Sequence, residues 1–127
     1  MVTRAEIEIY LNEVKNAIRR NRYRIDRNPK RQSNIDLFFD YIIDESDAKQ
    51  ILLGLEVDDF SEVKQNDHVG YEHEKLYIFG KDVNLIERFG STEKTVSLYI
   101  KFNKLENKYV IVISFHEQKY PLSYYFK

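Results

Sequence analysis

The chain of 127 residues has no cysteine and no tryptophan, and only four glycines and two prolines. The missing cysteines exclude a disulfide scaffold, a thiol nucleophile and cysteine-ligated zinc together. No low-complexity stretch, linker, Gly-rich phosphate loop or nucleophile elbow is present. No apolar run approaches the roughly 18–20 residues of a membrane helix. The longest, Tyr109 to Ile113, has the length of a strand. The N-terminus, Met-Val-Thr-Arg-Ala-Glu, lacks the apolar centre of a signal peptide, so a cytoplasmic protein with no membrane partner is expected. The length suits one domain over residues 1–127.

What the chain does have is charge, unevenly placed, and aromatic rings. Hydrophobic residues make up 43%, enough for a core, and include ten Tyr and eight Phe. The net charge of −1 conceals three blocks. Residues 1–34 hold nine Lys/Arg against four Asp/Glu, residues 35–74 two against twelve, and residues 75–127 nine against five. Such a chain is not a uniformly basic nucleic-acid binder, yet two basic ends that meet in space can form a basic groove.

The first half reads as helix. Thr3 and Glu6 form a capping box, and Ile7, Tyr10, Leu11, Val14, Ala17 and Ile18 share one stripe, predicting a helix from about 4 to 20. Ser33 with Asp36 opens a second, burying Leu37, Phe38, Tyr41 and Ile42. Asp44 with Asp47 opens a third, burying Ala48, Ile51, Leu52 and Leu55. Val57, Phe60 and Val63 are spaced for one more helical turn over 57–64. From about residue 75 the period becomes two. Short strands at 75–80 and 83–86 flank a turn, and longer ones run over 96–103 and 109–116. An α+β fold is expected, with a helical part over about 1–65 packed on an antiparallel sheet over about 75–118. The aromatic tail 119–127, extended at Pro121, is expected to lie against the sheet edge.

With Glu106-Asn107 as a two-residue turn, Leu98 faces Phe115, Ile100 faces Ile113 and Phe102 faces Ile111, a wholly apolar face. The opposite face then receives Tyr99 beside Ser114, Lys101 beside Val112, and His116 beside Ser97. His116 titrates near neutrality and suits general acid–base work. With Tyr99 and Lys101 it could act on a phosphodiester without metal or thiol: a base takes the ribose 2′-hydroxyl proton, a cation stabilises the phosphorane, and an acid protonates the leaving 5′-oxygen. The same residues equally suit a plain half-exposed polar sheet face. The basic run from Arg19 to Arg31, which holds Arg20, Arg22, Arg24, Arg27 and Lys30 and is interleaved with Tyr23, suits phosphate contacts or a solvated helix end. His68, His73 and Glu72 or Glu74 could in principle bind a metal, but their spacing matches no strong template and a plain surface loop is the favoured reading, so no metal or other cofactor is expected. Their loop could close over the sheet face and bring His73 near the site.

Three strings, Ile51-Leu52-Leu53-Gly54-Leu55-Glu56-Val57-Asp58-Asp59-Phe60, Val96-Ser97-Leu98-Tyr99-Ile100-Lys101 and Val110-Ile111-Val112-Ile113-Ser114-Phe115-His116-Glu117, occur in an order that resembles the MqsR-type (motility quorum-sensing regulator) toxins, relatives of the RelE-like ribonucleases. The resemblance is strongest over residues 50–118. It implies a RelE-like fold and a toxin of a type II toxin–antitoxin pair that cleaves messenger RNA without metal. The partners it implies are messenger RNA and a cognate antitoxin, with the ribosome left open. The active-site tyrosine of that family falls on Tyr99. Its C-terminal lysine falls on His116, and the lysine after Asp-Phe falls near Glu62, with Lys64 two residues on. Its strand glutamine falls near Ile78 or Phe79, where Lys81 is the nearest polar candidate. The expected catalytic set is therefore His116, Tyr99, Lys101 and Lys81, with Arg22, Arg24, Arg27, Lys64 and His73 holding the RNA. The alternative is a non-catalytic RNA- or protein-binding module of the same fold.

Overall fold

The computed structural model describes residues 1–90 and 92–127. Among these the chain forms three α-helices and a five-stranded sheet, an α+β fold with helices first and most strands last. Helix α1 (Arg4–Arg19) starts where Thr3 accepts from the Glu6 amide, and its apolar stripe is the buried one expected. Helix α2 spans Gln32–Asp40, and α3 spans Glu45–Leu53 under the Asp44–Asp47 capping box. Helix α2 starts one residue after Arg31, which cannot cap it, rather than at Ser33. Its C-terminal carbonyls are gathered by the Arg88 guanidinium, which donates to the Phe38, Phe39 and Tyr41 oxygens. No helix among the described residues is long and apolar enough to cross a membrane.

The strands are β1 (Tyr23–Ile25), β2 (Phe60–Gln65), β3 (Lys75–Ile86), β4 (Glu93–Lys104) and β5 (Val110–Glu117), in spatial order β1-β5-β4-β3-β2. Two elements depart from expectation at the level of local pattern. The apolar spacing at 57, 60 and 63 belongs to a 3-10 turn, Val57–Asp59, running straight into β2. Residues 75–86 form one continuous strand, with Lys81 and Asp82 inside it rather than in a turn. A third departure is long-range: β1 lies parallel to β5, so the sheet is mixed rather than wholly antiparallel.

The β4–β5 register also differs. The connection is longer than two residues: Lys108, at φ 68°, donates to the Leu105 carbonyl. Near the turn Phe102 therefore pairs with Val112 and Lys104 with Val110. A bulge at Ile113 then shifts the upper half once more, so that Ile100 faces Phe115, Lys101 faces Ser114 and Tyr99 faces His116. Because of the bulge, Val110, Val112 and Phe115 all join the core, whereas Ile111 and Ile113 do not. Asn34, 1% exposed, closes the bulge: its amide donates to the Ile113 carbonyl (2.9 Å) and its oxygen accepts from the Phe115 amide (2.9 Å). The same amide also donates to the Asp26 carbonyl at 2.7 Å. One side chain thus joins the start of α2, the β1–α2 loop and the middle of β5.

The core lies between one sheet face and the helices. Phe79, Val96, Leu98, Ile100, Phe102 and Phe115 meet Ile7, Leu11, Val14, Ile18 and Leu52 there. The other face is left to the loops and the tail. The tail leaves β5, crosses the sheet above Gly80 and reaches β2, where the Tyr125 amide donates to the Phe60 carbonyl and Ser61 Oγ to the Ser123 carbonyl. A Cβ on Gly80 would stand 2.7 Å from Leu122 Cδ1 and 3.0 Å from Gln118 Nε2, so the missing side chain lets the ends of the tail's side chains lie close on the sheet. Phe126 packs against the core beside Phe60, so only the end of the tail meets the sheet edge at β2, and the rest crosses the open face.

Candidate functional site

The open face carries a cleft of about 640 Å³ between the start of α2, strands β2, β4 and β5, and the tail. The pleat explains who stands in it. Tyr99 and Lys101 alternate with core residues on β4, as Ser114 and His116 do on β5 above the bulge, and Glu62 and Lys64 on β2. Tyr99 and His116 are cross-strand partners, with rings stacked at 5.2 Å and planes 10° apart. Lys101 and Ser114 form the next rung. Three of the four expected catalytic residues therefore share one patch, joined by Lys64 from the expected RNA-holding set.

Five cationic side chains line the cleft, Lys30, Arg31, Lys64, Lys101 and Lys119, against the single carboxylate of Glu62. Arg31 Nε lies 3.7 Å from Asp26, and Lys64 Nζ 3.9 Å from Glu62. Lys30, Lys101 and Lys119 have no carboxylate at ion-pair distance among the described residues. The first turn of α2 borders the same space with no side-chain cap, which adds the positive end of a helix dipole. A near-neutral protein thus presents a strongly positive cleft.

Burial and mutual repulsion tune these groups. Burial is the main cause holding the His116 imidazole below its ordinary 6.5; the Glu117 carbonyl opposes that, and Lys119 and Lys101 reinforce it. His116 Nδ1 lies 2.8 Å from the Glu117 carbonyl, which can only accept, so Nδ1 carries the proton and Nε2 presents the lone pair. Lys101 is held below its ordinary value, first by burial and then by Arg31 and Lys64. Tyr99 is pushed up by burial and Glu62, so its hydroxyl stays protonated and can donate. At neutral pH the cleft offers an unprotonated imidazole, a hydroxyl donor and surrounding cations.

The other expected site residues lie elsewhere. Lys81 pairs with Leu98, so the pleat turns it to the helix side of the sheet, where its Nζ lies 3.5 Å from Asp59. Arg27 is paired with Glu45 and lies over the Phe38 ring at 3.8 Å. Arg22 donates to the Asn107 carbonyl at 3.2 Å and lines a separate hollow at the end of α1. Arg24 shares the open face, beside Ile111, one rung beyond Lys101 and outside the cleft. His73 lines another hollow with Tyr10 and Tyr77, and its loop does not cover the site. Among the described residues no three His, Asp or Glu side chains gather as a metal site.

Lys119, which sequence reasoning missed, and Lys30 and Arg31, which it left out of the site, arrive from a loop and a tail. The nearest sequence signal is that Lys119 and Tyr120 follow His116 within four residues, just past the end of a strand. No family model, curated protein or solved structure matches this chain. The likeness to the MqsR-type toxins rests on the three strings alone.

Proposed function

We propose that the cleft binds the RNA backbone and cleaves it without metal, as a messenger-RNA-cleaving toxin of a type II toxin–antitoxin pair working in the cytoplasm. The observation that carries this reading is the pairing of Tyr99 with His116, one rung from Lys101, inside a cleft lined by five cations. His116 Nε2 takes the proton of the ribose 2′-hydroxyl. The 2′-oxygen bonds to phosphorus as the bond from phosphorus to the 5′-oxygen breaks, leaving a 2′,3′-cyclic phosphate and a 5′-hydroxyl. Lys101 and Arg31 stabilise the negative charge of the phosphorane, and the Tyr99 hydroxyl supplies the proton to the leaving oxygen. An antitoxin that silences this activity would cover the cleft with acidic side chains.

One observation favours a second reading, a module that holds RNA without cutting it: His116 Nδ1 meets a main-chain carbonyl rather than a carboxylate. Incubating end-labelled RNA with the protein in the presence of a chelator separates the two. Cyclic phosphate and 5′-hydroxyl ends that vanish in His116→Ala are the expected result. RNA that is bound but stays whole would assign the cleft to the second reading, and RNA that is not bound at all would remove both.

A further inference from the structure

The cleft has two unlike walls. One is cationic, and the other is the tail segment Tyr120, Pro121 and Leu122. A volume near 640 Å³ far exceeds one phosphate group and lies in the range of sites for whole organic ligands. The other aromatic rings at the chain's end are occupied: Tyr124 lies over Gly80, Tyr125 packs on Phe60 and Phe126 packs against the core. Tyr120 is the exception. It borders the cleft and is 82% exposed, so its ring has almost no protein against it.

The segment that presents this ring is held firmly. The Gln118 amide donates to the Ser97 carbonyl at 2.8 Å, and its side chain donates to the Leu98 carbonyl at 3.0 Å while accepting from the Leu122 amide at 3.3 Å. Pro121 restricts the backbone of Tyr120 to extended conformations. A bare aromatic ring on a braced loop beside a cationic wall is the composition of a nucleotide site, with phosphate on one side and base on the other.

We infer that Tyr120 is a base-stacking platform and that the cleft takes single-stranded rather than duplex RNA, one base lying on the Tyr120 ring while its phosphate rests on Lys101 and its cationic neighbours. Inside a duplex both faces of each base are already stacked, and away from its ends the ring has nothing to receive. This deepens the proposed function and rests on it.

The test is fluorescence anisotropy with an eight-nucleotide RNA made uncleavable by 2′-O-methyl groups, as a single strand and as its blunt duplex. Wild type should bind the single strand more tightly. Tyr120→Ala should weaken that binding roughly five- to a hundredfold, the range for losing one stacked base, and Tyr120→Phe should restore it. Being exposed, Tyr120 can be replaced without endangering the fold. Unchanged affinity in Tyr120→Ala, or duplex bound as tightly as single strand, overturns the platform but leaves the cleft an RNA site. Wild type that binds neither form at low salt overturns both.

Discussion

The two faces of the sheet are made by the same strands and share almost nothing else. On the helix side, Leu98, Ile100, Phe102 and Phe115 are fully buried. On the open side the residues between them on the same strands are Tyr99, Lys101, Ser114 and His116, and the helices are replaced by a nine-residue tail. The closed face stabilises the fold by burying apolar area. The open face gathers like charges that repel one another and desolvates an imidazole, both of which oppose folding. A sheet whose two sides differ in this way separates stability from chemistry, and that separation can be tested residue by residue.

The largest effects should come from the closed face. Phe102→Ala empties a fully buried site and should cost about 3–5 kcal/mol in chemical denaturation. His116→Ala, on the other side, should lower cleavage by roughly 10²–10⁴-fold while leaving the denaturation midpoint near wild type. A large loss of stability there would mean that the open face also carries the fold. Asn34→Ala links the faces. It leaves the Ile113 carbonyl and the Phe115 amide without partners, so it should destabilise by about 1–3 kcal/mol per buried group and disturb His116 one residue beyond.

A smaller effect follows from acidity. The folded chain holds His116 below 6.5, so as the pH falls the unfolded chain takes up this proton first. The stability tied to neutral His116 is complete above about pH 6.5 and is lost as the pH drops through the folded-state value. Cleavage using Nε2 as base should show its acid limb below 6.5 in kcat/KM, and an acid limb above pH 7 would contradict the desolvation of His116. The smallest effect belongs to Lys81→Ala. It removes one partly exposed ion pair with Asp59 on the helix side, changing stability by under about 1 kcal/mol and cleavage not at all.

Local signals made much of this legible. The Thr3 and Asp44 caps mark their helices, and the alternation Val96-Ser97-Leu98-Tyr99-Ile100-Lys101 is enough to put Tyr99 and Lys101 on one side. Ser114 and His116 were placed on the right face with the wrong partners, since a shift of two residues preserves the pleat. The apolar run Tyr109 to Ile113 could not reveal its bulge, because every residue in it is equally suited to either side. Strand β1 has three residues and a partner some 87 positions away, in a segment whose arginines suit phosphate contacts or a solvated helix end and give no sign of a strand. Lys81 is a related case: the turn expected between 80 and 83 hides the continuous strand that assigns its direction.

The bulge at Ile113 gives β5 one residue more than its ladder uses. If Ile113 were deleted, Val112 and Ser114 would become neighbours in plain alternation, with Val110, Val112 and Phe115 still inward and Ser114 and His116 still outward. The ladder with β4 would close without a gap, at the cost of the bond to Asn34. Strand β4 has no such slack between Tyr99 and Phe102, where losing one residue would invert everything on one side of the cut. In this fold, then, the partner that carries His116 can absorb a change in chain length that the partner carrying Tyr99 cannot.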